Sequence, residues 1–69
     1  MTGAEALVGA EGHALAPIRP DLAGQVRVRG EIWRASSPDP IPAGTRVRVT
    51  GLEGLTLHVR PIDAPIRSR

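Results

Sequence analysis

Glycine and proline interrupt this sequence so often that no stretch without either residue is long enough for two full turns of α-helix. The chain contains eight glycines and seven prolines among its 69 residues. Proline ends helices and central strands, and glycine favours turns. The sequence is therefore divided into short segments separated by turns, which is typical of an all-β domain.

Apolar and polar residues alternate within most of these segments, with the period of two that indicates a half-buried strand. The predicted strands span residues 13–16, 25–29, 32–35, 45–50 and 55–60. The residues predicted to form the core, on the apolar face, are Val26, Val28, Trp33, Val47, Val49, Leu57 and Val59. The same alternation places Leu55 on that face. Five short strands with one apolar face can bury it by curling into a closed sheet, so the predicted fold is a small five-stranded barrel.

The chain is long enough for one small domain, which buries only about 60% of its unfolded surface. We expect residues 1–8 to form a lead-in, residues 9–61 the barrel, and residues 62–69 a flexible C-terminal tail. No cysteine is present, so disulfides cannot brace the fold. Trp33 is the single aromatic residue, and the small aliphatic side chains need one large ring to help fill the interior.

The basic residues are all arginines, nine of them, against seven acidic residues. The net charge is only +2, so the sequence pI of about 11.1 reflects the high pKa of guanidinium more than an excess of charge. The alternation points four of the arginines away from the core. This candidate interaction surface consists of Arg27, Arg29, Arg46 and Arg48, together with the proline-rich loop Ser36–Ala43.

The side chains needed for catalysis or metal binding are scarce. Two histidines, His13 and His58, lie on different predicted strands, and no Gly-x-Ser-x-Gly motif presents a serine. A nucleophile needs a base within hydrogen-bond reach, and two histidines without cysteine leave a structural zinc site short of ligands. The sequence therefore predicts no catalytic site, no cofactor and no metal, and favours a non-catalytic binding module.

Single-stranded nucleic acid is the alternative ligand, because small five-stranded barrels often bind it and outward-facing arginines can follow phosphates. Such proteins stack bases on aromatic side chains, each worth about 1–3 kcal/mol. Only Trp33 could serve here, and its alternation with Ala35 suggests that it points inward. The low net charge also argues against a polyanionic ligand, so a protein partner is the preferred interpretation.

An ordered series of short motifs resembles the C-terminal domain of NfeD-type proteins. The motifs span about residues 7–61 and are Leu7-Val8-Gly9, Gly12-x-Ala14, Arg19-Pro20, Gly24-x-Val26, Gly30-Glu31-x-Trp33-x-Ala35, Ile41-x-x-Gly44-x-x-Val47-x-Val49 and Gly54-Leu55-x-Leu57-x-Val59. The sequence departs from this pattern at Asp21-Leu22-Ala23, a slightly longer connection than usual before Gly24.

The resemblance implies an OB-fold barrel carried at the end of a membrane-anchored protein. It also implies a stomatin- or flotillin-like membrane protein as the partner, and a place on the cytoplasmic face of the membrane. Some members of the family carry a serine protease domain upstream. No apolar run in this sequence approaches the roughly 18–20 residues that span a bilayer, so the fragment is expected to be soluble.

Overall fold

The computed structural model describes residues 3–62, which form one short 3₁₀ helix and five β-strands. The helix spans Gly3–Leu7, and the strands are β1 (Glu11–Ala14), β2 (Gly24–Val28), β3 (Glu31–Ser36), β4 (Arg46–Glu53) and β5 (Thr56–Pro61). Of the predicted tail, only Ile62 is described, and its N–H donates to the carbonyl of Arg46 at 2.8 Å. Residues 63–69 lie outside the described part.

The five strands close into a barrel in the order β1-β2-β3-β5-β4, with β4 returning to pair with β1. All pairings are antiparallel except that of β3 with β5, which is parallel. This confirms the prediction of an all-β, five-stranded, OB-fold-like barrel. Closure leaves no long sheet edge exposed to pair with another chain.

A tight turn at Arg29-Gly30 joins β2 to β3. Both residues have positive φ, 52° and 80°. Two-residue hairpin turns favour that combination because its twist matches that of the flanking strands. Arg29 was predicted to lie on a strand, but the structure places it in this turn, directly after the last residue of β2.

A β-bulge in β4 explains why this strand is longer than predicted. The pairing with β5 shifts by one residue between Val49 and Gly51, which leaves Thr50 as the extra residue. The Thr50 hydroxyl donates to the carbonyl of His58 at 3.2 Å. A bulge reverses which face the following residues occupy. Leu52, in a segment predicted as a turn, consequently pairs with Leu57 and packs against the core.

The core is a cluster of small aliphatic side chains inside the barrel. The six aliphatic residues predicted to face inward are all buried: Val26, Val28, Val47, Val49, Leu57 and Val59. Leu7, Ala10, Ala14 and Ala35 add to the same cluster. Leu7 belongs to the segment expected as a lead-in, and backbone bonds between Val49 and both Gly9 and Ala10 hold that segment on β4.

One end of the barrel, where β1 and β3 finish, is closed by two buried isoleucines. Ile18 and Ile41 come from segments that were predicted only as connections, and they are 0% and 1% exposed. Each donates its N–H to the carbonyl of the other, at 2.9 and 2.8 Å. We call this the isoleucine end. The two connections are therefore fixed to each other across the core.

The opposite end, where β3 begins and Gly54-Leu55 turns between β4 and β5, is the tryptophan end. Trp33 faces inward opposite Val26, as expected, but is only partly buried and packs against the core from its rim. The reason is that β5 pairs with β3 only at Arg34–Ser36, so no strand covers the other side of Trp33. Leu55, predicted on the apolar face, lies in the turn and is 79% exposed.

Candidate functional site

Three of the four predicted surface arginines lie on one outer face of the barrel. Arg27 is on β2 and Arg46 and Arg48 are on β4, while β1 runs between these strands. His13 of β1 is opposite both Arg27 and Arg46 in the register. All these side chains are exposed. Together with Arg29 at the end of β2, we call this surface the arginine face.

Glu11 forms salt bridges with the two arginines of β4 on this face. Its carboxylate accepts from Arg46 at 2.7 Å and from Arg48 at 3.0 Å, one arginine on each oxygen. Arg48 also donates to the carbonyl of Gly9 at 3.3 Å. Within residues 3–62, Arg27 in contrast forms a single side-chain hydrogen bond, a long one of 3.4 Å to the carbonyl of Gly30. The arginine face therefore presents less unpaired charge than the sequence suggests, which weakens its case as a track for phosphates.

A chain of hydrogen bonds links Ser36, His58 and Glu53, which sequence reasoning did not connect. The Ser36 hydroxyl lies 3.2 Å from Nδ1 of His58, and Nε2 of His58 lies 3.1 Å from Oε1 of Glu53. Ser36 and His58 are direct partners in the β3–β5 register. Only the parallel pairing of these two strands brings them together, and the sequence pattern gave no signal for that pairing.

These three residues share the types of a serine–histidine–acid triad, but their geometry is that of a cross-link between strands. The acid of a working triad is buried so that it holds the imidazole in one orientation, whereas the Glu53 side chain is 82% exposed. Ser36 lies within a paired strand and not on a strained turn. The chain of hydrogen bonds connects three neighbouring strands, because Ser36 is on β3, His58 on β5 and Glu53 on β4. Elsewhere in residues 3–62, no three histidine or acidic side chains gather as a metal site would require.

An open groove of about 640 Å³ lies beside the isoleucine end. One wall is the connection between β1 and β2, and the other is the outer surface of β2 and β3. The residues that line the groove include Ala16, Pro17, Arg19, Leu22, Gln25 and Arg34. From the sequence alone, this connection is predicted only to join two strands. The one feature of its sequence that stands out is the extra length at Asp21-Leu22-Ala23, where the chain departs from the motif pattern that it otherwise resembles.

The comparison with protein families matches residues 4–61 to the NfeD-like C-terminal, partner-binding domain. The match covers the whole barrel together with most of the 3₁₀ helix.

Individual relatives point the same way. The chain is 34% identical over 61 residues to an uncharacterized protein, MJ0826, of Methanocaldococcus jannaschii, covering 88% of this chain and 44% of the relative. It is 40% identical over 60 residues to the membrane-bound protease PH1510 of Pyrococcus horikoshii, covering 84% of this chain but 13% of the relative. The chain thus spans less than half the length of these relatives.

Among solved structures, the barrel is similar to the C-terminal domain of the stomatin operon partner protein 1510-C from Pyrococcus horikoshii. The TM-score is 0.81 at 36% sequence identity, and the alignment covers 93% of this chain and 100% of the other. The likeness therefore extends to the complete fold of that domain.

Proposed function

The chain belongs to the NfeD family, matching its C-terminal, partner-binding domain, and from this premise we propose that it is a non-catalytic module that binds a stomatin- or flotillin-like membrane protein. The family match across residues 4–61 is the observation that carries the proposal. The name of the structurally similar domain, a stomatin operon partner, supports this class of partner.

The proposed location is the cytoplasmic face of a membrane, as part of a larger membrane-associated protein. One relative, PH1510, is named as a membrane-bound protease, which supports an association with membranes. Within residues 3–62, no helix has the length and apolar character to cross a bilayer. The barrel would then act as the part of such an assembly that contacts a protein rather than lipid.

The arginine face is the proposed contact surface on the strands. Arg29 forms no side-chain hydrogen bond or salt bridge within residues 3–62, and Arg27 forms only the long bond to Gly30, whereas the Glu11 carboxylate holds Arg46 and Arg48 in fixed positions. Arginine is enriched in protein interfaces because its planar guanidinium makes several directed hydrogen bonds. A surface with both free and preorganised arginines suits a protein partner that offers carboxylates or backbone carbonyls.

The test is a binding titration of the 69-residue chain against a stomatin-like protein of the same organism at about 150 mM salt. We expect saturable binding that is weakened by the double charge reversal Arg27→Glu and Arg46→Glu. The matched control is Arg27→Lys with Arg46→Lys, which keeps the charge and should retain most of the binding. Amide NMR spectra should show that both variants remain folded.

Two outcomes would change the proposal. Unchanged binding by the reversal variant would move the contact to the loops. Micromolar affinity for a mixed single-stranded oligonucleotide at the same salt concentration would overturn the protein partner, because it lies at the tight end of the range for non-specific nucleic-acid binding, about 10⁻⁴–10⁻⁶ M. We expect oligonucleotide binding weaker than about 10⁻⁴ M.

A further inference from the structure

The groove beside the isoleucine end is held open by the backbone around it. Ile18 anchors its outer wall in the core through the paired bonds with Ile41. Arg19 and Leu22 exchange two backbone bonds of 3.0 Å, which fold the segment between them into a tight turn. The backbone of this wall is therefore held in place at Ile18 by the bonds to Ile41, and at Arg19 and Leu22 by the tight turn between them.

Gly24 brings this wall close to β2. A Cβ at that position would meet the Ile18 side chain and the carbonyl of Pro17, each at 2.7 Å. Only glycine allows the two backbones to approach this closely. The groove is thus preorganised, and a ligand would not have to order its walls on binding.

The groove combines two unpaired cations with exposed apolar surface. Arg19 stands on the connection and Arg34 on β3, and neither forms a salt bridge with any carboxylate in the described part of the chain. Leu22, beside them, is 61% exposed. Arg46, Arg48 and Arg60 differ, because each has a carboxylate partner.

We propose that the groove binds a short segment of the protein partner that presents a carboxylate next to an aliphatic side chain. The carboxylate would accept hydrogen bonds from the guanidinium groups of Arg19 and Arg34, which favour bidentate pairing. The aliphatic side chain would pack on Leu22, Ala16 and Pro17. This inference rests on the proposed function, since it names the chemistry of the partner at one site.

The same observations argue against an anionic membrane surface and a nucleic acid strand as ligands of the groove. An anionic membrane surface attracts clusters of about four to eight basic residues, and the groove offers two, in a concave surface. A nucleic acid strand would need an aromatic stacking platform, and the groove lining has none. A carboxylate side chain beside an aliphatic one matches the mixture of arginines and apolar residues that lines the groove.

The test titrates the ¹⁵N-labelled 69-residue chain with the peptide acetyl-Glu-Leu-Glu-Leu-Glu-amide. The matched peptide replaces each Glu by Gln. We expect the acidic peptide to shift the amides of residues 16–25 and Arg34, with an affinity at least about fivefold above that of the Gln peptide. The variant Arg19→Gln with Arg34→Gln should weaken the acidic peptide about tenfold, since each arginine offers a charge-assisted hydrogen bond.

The control variant is Arg60→Gln, which removes an arginine that belongs to neither the groove nor the arginine face and should leave peptide binding unchanged. Equal affinity for the two peptides would overturn the inference, as would equal losses in the two variants. Preferential binding of phosphatidylglycerol vesicles over the acidic peptide, lost in the groove variant, would overturn it in favour of a lipid surface.

A second titration separates this inference from the proposed function. If the stomatin-like protein binds the chain and the groove variant binds it equally well, the groove is not part of the interface and the inference fails alone. If that protein does not bind but the acidic peptide does, through Arg19 and Arg34, the groove stands and the class of partner is wrong.

Discussion

The isoleucine end and the tryptophan end close the same barrel with different side chains. At the isoleucine end, Ile18 and Ile41 are completely buried and joined by backbone hydrogen bonds. At the tryptophan end, Trp33 is partly buried and Leu55 is almost wholly exposed. Apolar burial stabilises a fold in proportion to the area removed from water. The isoleucine end should therefore contribute more stability per residue than the tryptophan end.

Ile18 connects the stability of the isoleucine end with binding, because it serves two purposes. It fills the core and anchors the wall of the groove that carries Arg19 and Leu22. At the tryptophan end, the turn at Gly54-Leu55 instead leaves the Leu55 side chain exposed to solvent. We infer that loss of packing at the isoleucine end damages stability and the groove together.

The largest expected effect is that of the double variant Ile18→Ala with Ile41→Ala. Truncating a buried isoleucine to alanine costs about 2–5 kcal/mol, and a domain this small rarely has more than about 3–5 kcal/mol to lose. The two sites are in contact, so their costs need not add. We still expect the double variant to be largely unfolded at 25 °C, as measured by amide NMR dispersion and circular dichroism.

The matched control is Ile18→Val with Ile41→Val. Each change removes one methylene group and costs about 0.5–1.5 kcal/mol, so this variant should fold with a lowered urea midpoint. Cooperative unfolding of the double alanine variant within about 1 kcal/mol of the parent would contradict the importance given to this end.

An intermediate effect is expected for Trp33→Ala. A tryptophan inside a core costs about 3–5 kcal/mol on truncation. Trp33 lies at the rim, where its removal leaves a notch open to water instead of a sealed cavity, so we expect about 2 kcal/mol, within the range for burying one large apolar side chain. Urea denaturation should show a folded, weakened domain. A variant with no cooperative transition would show that Trp33 acts as a core residue, as the sequence first suggested.

Trp33→Phe refines this test. Nε1 of Trp33 is buried and has no hydrogen-bond partner in residues 3–62, and such an unpaired donor costs about 1–3 kcal/mol of desolvation. Phenylalanine keeps much of the apolar contact and removes the donor. We expect this variant to be clearly more stable than Trp33→Ala, again by urea denaturation. Equal stability of the two would mean that the shape of the indole ring decides the packing at this end.

The sequence predicted the middle of the barrel better than its ends. Alternation of residues is a local signal, and it identified Val26, Val47 and their partners because a strand has only two faces. Ile18 and Ile41 were missed because each is a lone apolar residue beside prolines, with no period around it. Their burial depends on a backbone bridge between two distant connections.

The candidate sites show the same limit. Outward alternation located Arg27, Arg46 and Arg48, but the neutralising position of Glu11 depends on the register of β1 with β4. The contact between Ser36 and His58 depends on the parallel pairing of β3 with β5, for which a single strand gives no evidence. The sequence alone gives the type and charge of each residue. Whether an arginine is free to bind a ligand depends on its neighbours in the tertiary structure.

The smallest expected effect is that of Leu55→Ser in the turn of the tryptophan end. The position continues the inward alternation of Leu57 and Val59, so a strand-based interpretation predicts a core residue and a loss of several kcal/mol. The structure places Leu55 after Gly54, whose φ of 62° turns the chain before β5 begins. An exposed side chain away from special backbone features changes stability by about 0.5 kcal/mol or less.

Urea midpoints of the parent and the Leu55→Ser variant should therefore agree within error, with Leu57→Ser as the control at the next inward position. Leu57 is 0% exposed, so a serine there buries an unpaired hydroxyl and leaves a cavity, and the variant should be mostly unfolded. A large loss at Leu55 would mean that β5 begins earlier in solution and that the tryptophan end is closed as firmly as the other. The contrast between the two leucines thus tests where the barrel stops.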